Sequence, residues 1–471
     1  MTGQVSSSVT TPRVPVLIRP TMDDVRALVR LAVPVMTVEM GIMAMHVVDT
    51  IFVGHVSATA LAAVSLALVY YFTVVVIGIG TLVGFDALVS QAVGADDTVA
   101  VRRAIQRGLV LAALLCIPLA LILWPTGPVL RALHQPAEIV PIATRVVHIS
   151  ILGLPGVLAF VVLRQTLQAM ERLRPILLTV LIANLINAAL NWILIHGHLG
   201  APALGVDGSA IASVIGRLSL PLLLLWFGRD ALLPLLRVRD PLLFQLEPLR
   251  RMLRLGLPVG VQYLLEVGVF NAVALLMGVQ ATTTLAAHQV AINLASFTFM
   301  LPLGIGAAAS VLVGQAIGRG DDGAARRAAA AALTAGILAT LGTTTLFLTI
   351  PRQLASVYVT DANVVALAAT LIPIAGVFQL FDGVQAIAGG ALRGAADTRA
   401  AMIANILGFW AVGLPLGLYL GFRAGMGPAG LWWGLVAGLA AVSAVLIVRL
   451  HLRFSRPLVR VQVDQSPQRA D

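Results

Sequence analysis

The sequence predicts an all-α polytopic membrane protein with twelve transmembrane helices in two six-helix lobes. Three observations predict this fold. Of the 471 residues, 59% are hydrophobic and only 11% are charged, whereas soluble proteins carry about 25% charged residues. Apolar runs of about 20 residues, which is the length needed to cross a bilayer as a helix, recur along the whole chain. The two halves of the sequence also match each other, which indicates a parallel internal repeat.

The apolar runs divide into twelve predicted spans, each long enough to cross the bilayer. In chain order they are 27–53, 60–91, 104–126, 139–163, 172–196, 206–228, 252–279, 286–316, 327–350, 363–390, 400–422 and 428–450. The predicted domains are a tail at 1–26, an N-lobe at 27–228, a linker at 229–251, a C-lobe at 252–450 and a tail at 451–471.

The internal repeat rests on short stretches that match between the two halves. The matched pairs are 31–36 with 255–260, 59–67 with 283–291 and 90–97 with 314–321, all at an offset of 224 in the numbering, and 167–174 with 392–399 at an offset of 225. Because each unit holds an even number of spans, both copies cross the membrane in the same direction. Repeats of this kind are related by an axis along the membrane normal, and the substrate binds between them.

The basic residues predict the orientation, and all 31 of them are arginines. Twenty-six lie in the tails and alternate loops, four lie in the opposite loops, and Arg217 lies within a span. Because arginine and lysine concentrate in cytoplasmic loops, we expect a multi-pass plasma (inner) membrane protein with both termini in the cytoplasm.

Several functional classes are excluded by the composition. Without lysine the chain has no Walker A motif and no Schiff-base chemistry. Cys116 is the single cysteine, and the eight histidines show no zinc-binding spacing. The arginines are spread over short loops, so no nucleic acid is expected as a partner. We therefore expect a protein that is not an enzyme and has no cofactor.

Acidic residues within membrane spans are costly and usually functional. In the C-lobe, Glu266 and Asp382 lie near the middle of their spans, with Gln262 one turn from Glu266 and Phe378 and Gln385 on the Asp382 face. If the two helices meet, the carboxylate pair can hold a proton, Na⁺ or an organic cation. The alternative is that each carboxylate only hydrogen-bonds a neighbouring helix.

In the N-lobe, Glu39, His46 and Asp49 fall within an arc of about 80° on the first span. Asn184, Asn187 and Asn191 lie on one face of the fifth span. Carboxylate and amide oxygens suit a hard cation, so Asp49 is a further candidate for Na⁺ or H⁺. Amide hydrogen bonds between helices are the alternative role for the asparagines, and His46 is expected to be packed or hydrogen-bonded.

The sequence also resembles a known family. The stretches at 48–67, 187–214, 255–321 and 382–399 are similar to signatures of the MATE family of multidrug and toxin extrusion transporters. Residues 255–321, which include TLAAHQVAINLASFTFMLPLGIG, look most like the NorM branch. The resemblance covers about residues 25–450. It implies two six-helix lobes around a central cleft, and export of organic cations and drugs in exchange for Na⁺ or H⁺.

The resemblance also implies roles for particular residues. In NorM-like members, residues matching Glu266 and Asp382 carry cation coupling or substrate binding. In the DinF-like branch the coupling site is the residue matching Asp49, with polar partners matching Asn187 and Asn191. Two of these positions depart from the family pattern. Asn191 lies where the DinF-like branch typically has an Asp, and Phe378 lies where a Tyr is found near the C-lobe cation site. The second departure removes an oxygen ligand from the C-lobe.

The expected partners are small organic cations or drugs and membrane lipids, and the expected state is a monomer. A lipid-linked oligosaccharide flippase is a rival, but its anionic substrate requires arginines at membrane depth, and only Arg217 is predicted there. A membrane enzyme is a weaker rival because the non-cytoplasmic loops are short.

Overall fold

The structure is a computed structural model that describes residues 18–238, 240, 242–462 and 464. The described residues form helices joined by short turns. The predicted tails at 1–26 and 451–471 lie partly outside the described residues. The extents of these tails and the other domain boundaries stay predictions.

Twelve spans cross the fold, six in each half of the described chain. The N-lobe spans are α1 (Met22–Gly54), α2 (Ala58–Gly94), α3 (Thr98–Leu123), α4 (Val140–Ile151 with Leu154–Ala169), α5 (Leu173–His196) and α6 (Gly205–Phe227). The C-lobe spans are α7 (Leu246–Gln280), α8 (Thr282–Gly318), α9 (Asp322–Thr349), α10 (Ala362–Gly394), α11 (Arg399–Arg423) and α12 (Gly427–Phe454). Among these spans, α4 consists of two helices that meet at an angle of 47°. The predicted fold class is confirmed.

Irregular turns interrupt three of these spans. The helix in α2 breaks between Val83 and Asp86, and α4 bends between Ile151 and Leu154. In α11 the backbone is wound as π-helix over 406–413 and again over 419–423. Within the described chain, three shorter α-helices lie outside the spans, at Thr126–Ala132, Arg229–Arg237 and Pro351–Tyr358. The second of these lies in the segment predicted as the linker.

The repeat extends to the turns between helices. Asp97 accepts a hydrogen bond from the Ala100 N–H at the start of α3, and Asp321 accepts one from the Ala324 N–H at the start of α9. Each cap satisfies an amide that the first helical turn leaves unpaired. The residues before the caps, Asp96 and Gly320, both have positive φ, 53° and 74°. Each cap therefore has its counterpart in the other lobe at the repeat offset of 224.

The lobes meet through their first two spans. Helix α1 packs on α8, and α2 packs on both α7 and α8. At one end of the interface Gly94 of α2 and Gly318 of α8 approach each other so closely that a Cβ on either would collide with the opposite backbone, at Gln315 and Gln91 respectively. Both positions therefore require glycine, and they bring the lobes together at the end that carries the chain termini.

The described part of the C-terminal tail, residues 455–462 and 464, crosses from the C-lobe to the N-lobe at this end. Arg460 binds Asp97 at 2.8 Å, and Asp464 binds Arg107 at 2.6 Å and Arg103 at 3.1 Å. The tail is therefore a strap across the closed end of the lobe interface.

Candidate functional site

A central cavity of about 310 Å³ lies between the two lobes. Its polar lining consists of Glu39 and Arg164 from the N-lobe and Glu266, Gln262, Gln385 and Arg393 from the C-lobe. Tyr263, Phe270 and Phe299 form part of its apolar wall. The cavity thus combines aromatic walls with two carboxylates, which is a combination that suits a lipophilic cation.

Glu266 is the C-lobe carboxylate that reaches this cavity. It lies on α7 near Gln385 and Arg393, both of α10, and it is close enough to interact with each of them. Gln262, one turn earlier on α7, also lines the cavity, as its spacing from Glu266 predicts. Polar groups from both α7 and α10 therefore surround Glu266 in this cavity.

Asp382 lies behind the cavity wall and not in it. Asp382 is only 5% exposed, and its Oδ1 atom has no hydrogen-bond partner among the described residues. The charge of Glu266 acts on it, so the two predicted carboxylates are near each other. A buried carboxylate oxygen without a donor is costly, and a bound proton or cation would remove that cost.

Phe378, predicted on the Asp382 face, belongs to an aromatic cluster. Its ring lies edge-on to Phe270 at 5.9 Å and to Trp432 at 5.7 Å. It is 2% exposed. The Phe378 ring packs against Phe270, which lines the cavity, and therefore contributes to the shape of the cavity wall.

The N-lobe holds a second, smaller site around Asp49. Asn187 and Asn191 each donate to Asp49 Oδ1, at 3.0 and 2.8 Å, and Ser213 donates to Oδ2 at 2.7 Å. The cavity beside Asp49 has a volume of about 10 Å³. It is therefore about the size of one water molecule, which excludes a drug but leaves room for a proton or a small ion.

Arg217 lines the same small cavity and gives it a positive charge. Its guanidinium stacks over the ring of Tyr71 at 4.7 Å from the ring centre. The Oδ1 atoms of Asn187 and Asn191 have no partner among the described residues. These two amide oxygens are of the type that a hard cation prefers.

Three other predicted N-lobe residues lie elsewhere. Glu39 lies apart from the Asp49 site, because it forms an ion pair with Arg164 at 2.8 Å in the central cavity. Asn184 donates to the backbone carbonyls of Gly41 and Val180, so it joins α5 to α1. His46 packs edge-on against a phenylalanine ring. An arc of about 80° on α1 is wide enough to face two separate cavities at different depths.

Sequence reasoning missed three polar residues of these sites. Ser213 has a signal in the sequence, because Ser209, Ser213 and Arg217 follow each other at one helical face of α6. The sequence predicts Arg164 and Arg393 in loops, but the helices α4 and α10 extend far enough to include both residues. Arg164 and Arg393 therefore lie within helical spans of the described chain, as Arg217 does.

The class of protein follows from this architecture. Two copies of a six-helix unit surround a central cavity with carboxylates at membrane depth, which defines a membrane transporter and not an enzyme. The chain belongs to the MatE family, whose profile matches residues 34–193 and again residues 258–419. The starts of the two matches differ by the repeat offset of 224, which confirms the internal repeat and the resemblance.

Named relatives match over most of their length. The chain is 38% identical over 453 residues to the probable multidrug resistance protein NorM of Rhizobium meliloti (strain 1021), covering 93% of this chain and 94% of the relative. It is 37% identical over 436 residues to the multidrug resistance protein NorM of Burkholderia vietnamiensis, covering 90% and 93%. The expected similarity to the NorM branch is confirmed.

Solved structures share the fold. The eukaryotic MATE transporter AtDTX14 superposes with a TM-score of 0.85 at 22% identity, covering 92% of this chain and 98% of that one. The outward-facing form of a multidrug resistance MATE family transporter superposes with a TM-score of 0.81 at 19% identity, covering 97% and 100%. At these identities the likeness concerns the two-lobed fold alone.

Proposed function

We propose that this chain is a multidrug efflux antiporter, which exports organic cations and drugs in exchange for Na⁺ or H⁺ by alternating access. The observation that carries the proposal is the position of Glu266. Its carboxylate lies in a cavity between the lobes, beside aromatic walls from α7 and α8. Relatives that match over most of this chain are named as multidrug resistance proteins, which supports the same substrate class.

Coupling requires that the ion and the drug compete for negative charge. A proton or Na⁺ that reaches Glu266 or Asp382 neutralises a carboxylate, and the cationic drug is then released. The ion-loaded carrier returns to the other conformation, releases the ion there and binds drug again. Because a transport cycle needs only a difference in affinity between its two states, no covalent chemistry is involved.

The Asp49 site offers a second place for the coupling ion. Its cavity excludes a drug, and its donors Asn187, Asn191 and Ser213 hold the carboxylate in place. An ion there would act at a distance, through the packing of α1, α5 and α6. Loss of transport in variants of one lobe or the other distinguishes these two forms of the mechanism.

The orientation and the assembly are part of the proposal. The arginine distribution supports placing both termini in the cytoplasm of a cell whose plasma membrane holds the transporter. Moving Arg164 and Arg393 from the loops into the spans leaves that excess in place. A complete cavity is formed within one chain, which supports function as a monomer.

A lipid-linked oligosaccharide flippase is the second candidate, because two arginines line the central cavity. Arg164 and Arg393 could bind an anionic phosphate. However, Glu39 neutralises Arg164 through the 2.8 Å ion pair, and Glu266 lies near Arg393. The cavity therefore holds as many carboxylates as guanidinium groups, so it lacks the surplus positive charge that an anionic phosphate requires.

The test is uptake of a fluorescent organic cation into proteoliposomes under an imposed Na⁺ or H⁺ gradient. We expect transport to follow one gradient and to be lost in Glu266→Gln. Asp382→Asn and Asp49→Asn then assign the coupling site to one lobe. Glu138→Gln, which changes an exposed loop carboxylate, is the matched control. Absence of gradient-driven movement of any cation, with the control proteins folded, would overturn the proposal in favour of the flippase.

A further inference from the structure

A basic pocket of about 680 Å³ opens in the C-lobe at the end that carries the chain termini. Arg251 and Arg254 of α7, Arg399 of α11 and Arg449 of α12 line it. The pocket contains one acid, Asp397, whose carboxylate accepts a hydrogen bond from Arg449 at 2.7 Å. Arg251 also pairs with Glu247 at 3.1 Å, so two carboxylates oppose the four guanidinium groups around this cavity.

The same arrangement occurs in the N-lobe, in a smaller pocket of about 230 Å³. Arg30 and Arg174 line that pocket and correspond to Arg254 and Arg399 at the repeat offsets of 224 and 225. The N-lobe pocket also contains Glu171, whose repeat counterpart is Ala396. The paired arginines therefore belong to the repeated unit, while the C-lobe pocket carries the larger surplus of positive charge.

The C-lobe pocket opens toward the lipid. Ile403 and Val445 line it and are 49% and 40% exposed on the surface of membrane spans. Apolar residues exposed on a span contact acyl chains. An occupant must therefore present negative charge next to hydrocarbon, because the arginines and these side chains line one cavity.

We propose that the C-lobe basic pocket binds the phosphate headgroup of an anionic membrane phospholipid. Arginine binds phosphate oxygens through two parallel N–H groups, and basic pockets between spans on the cytoplasmic side are suited to lipid headgroups. Four arginines oppose Asp397 and the Glu247 partner of Arg251 here, against two arginines and one glutamate in the N-lobe. The C-lobe pocket is therefore the stronger of the two.

The lipid site adjoins the tail strap. Val461 and Gln462 of the tail line the same pocket, so a bound headgroup lies beside the segment that crosses to the N-lobe. This site is separate from the central cavity, and its occupancy can be measured without transport. The inference therefore stands or falls independently of the proposed drug export.

The experiment is native mass spectrometry of the purified full chain titrated with phosphatidylglycerol, and with phosphatidylcholine of the same acyl chains. We expect the wild type to bind phosphatidylglycerol more tightly. The double variant Arg254→Gln/Arg399→Gln should bind it at least about tenfold more weakly, since each arginine near a membrane surface contributes to anionic-lipid affinity. The matched control Arg30→Gln/Arg174→Gln should stay within about twofold of the wild type.

A second variant tests the pocket with its charges intact. Ile403→Trp fills the lipid-facing opening, and we expect it to weaken phosphatidylglycerol binding while the arginines remain. Equal affinity in the wild type and the Arg254→Gln/Arg399→Gln variant would overturn the proposal. So would competition by glycerol 3-phosphate as strong as that of the intact lipid, because the ligand would then be a free phosphate compound.

Discussion

Gln91 and Gln315 are repeat counterparts, at the offset of 224, and make the same hydrogen bond across the lobe interface in opposite directions. Gln91 Nε2 of the N-lobe donates to the Gly394 carbonyl at 2.9 Å, and Gln315 Nε2 of the C-lobe donates to the Ala169 carbonyl at 2.9 Å. Gly394 and Ala169 are themselves repeat counterparts, at an offset of 225. The strap adds a third bond, from the Val461 N–H to Gln91 Oε1 at 2.8 Å. This symmetric clasp holds the two lobes closed at the end that carries the termini.

The clasp is expected to set the balance between the two conformations of the transporter. In Gln91→Ala/Gln315→Ala both cross-lobe bonds are lost, and each buried bond is worth about 1 kcal/mol. The terminal end should therefore open in a larger fraction of molecules. Double electron–electron resonance between spin labels at Arg172 and Arg319, both exposed, would show a longer distance population in a Cys116→Ser background.

The control for this change is Gln135→Ala, which removes a half-buried glutamine whose hydrogen bond stays within its own loop. It should leave the distance distribution unchanged. An unchanged distribution in the double clasp variant would show that the glycine packing at Gly94 and Gly318 and the ion pairs of the strap hold the lobes together without these hydrogen bonds.

Ser213 is expected to contribute to the Asp49 site, because its hydroxyl donates to that carboxylate. Ser213→Ala removes the donor to Asp49 Oδ2 and leaves the two asparagine donors on Oδ1. A buried acceptor that loses its donor costs about 1–3 kcal/mol. If Asp49 couples transport, gradient-driven uptake in proteoliposomes should fall several-fold in this variant, but less than in Asp49→Asn.

Ser209→Ala is the matched control for Ser213, because Ser209 lines the same cavity without bonding Asp49. Equal uptake in Ser213→Ala and wild type, together with loss in Asp49→Asn, would mean that the carboxylate works without this donor. Loss in both serine variants would point to damage to helix packing and not to the bond.

The ion pair between Glu39 and Arg164 gives a prediction about stability. Both side chains are largely buried, at 19% and 14% exposed. Removing one partner leaves the other charge unpaired in the cavity, which costs more than the pair contributes. Glu39→Gln and Arg164→Gln should therefore each lower the thermal midpoint of the detergent-purified protein.

The double variant Glu39→Gln/Arg164→Gln should recover part of that loss, because neither charge remains. The thermal midpoints of the four proteins form a double-mutant cycle, and coupling of at least about 0.5 kcal/mol is expected for residues in contact. Additive effects would mean that the two charges do not stabilise each other in the folded protein.

The fold could be predicted because bilayer spans leave a strong signal. Apolar runs predict twelve spans, and the repeat offsets of 224 and 225 match the turns of one lobe with those of the other. The i, i+4 spacing of Asn187 and Asn191 predicts that both side chains lie on one helix face. A buried carboxylate such as Asp49 needs hydrogen-bond donors, so the two amides are suitable partners for it. Geometry brings these three residues together.

The errors have physical causes in the same helices. Predicted spans ending at 163 and 390 stopped short of Arg164 and Arg393, because a long cationic side chain ends an apolar run even when its helix continues. The burial of Glu39 is explained by Arg164, a partner from another helix that α1 itself does not reveal. Cross-helix pairing of this kind follows from tertiary packing and has no local pattern.

The ion pair between Arg460 of the strap and Asp97 is expected to depend on pH. The Ala100 N–H and then the Arg460 guanidinium hold the pKa of Asp97 below its ordinary value of 3.8. A depressed carboxylate pKa means that the stabilisation is complete above the unfolded value and is lost as pH falls through the folded value. The tie between Arg460 and Asp97 should therefore persist from neutral pH to about pH 4 and weaken below it.

A spin label at the exposed Gln462 reports this tie through its mobility. Asp97→Asn keeps a side chain that caps α3 well but removes the charge that binds Arg460, so the label should be more mobile at neutral pH and respond less to acid. Asp321→Asn is the matched control, because Asp321 caps α9 in the same way and the strap's Arg460 binds Asp97 and not this residue. Equal label mobility in Asp97→Asn and wild type at pH 7 would show that Asp464, bound to Arg103 and Arg107, holds the strap without help.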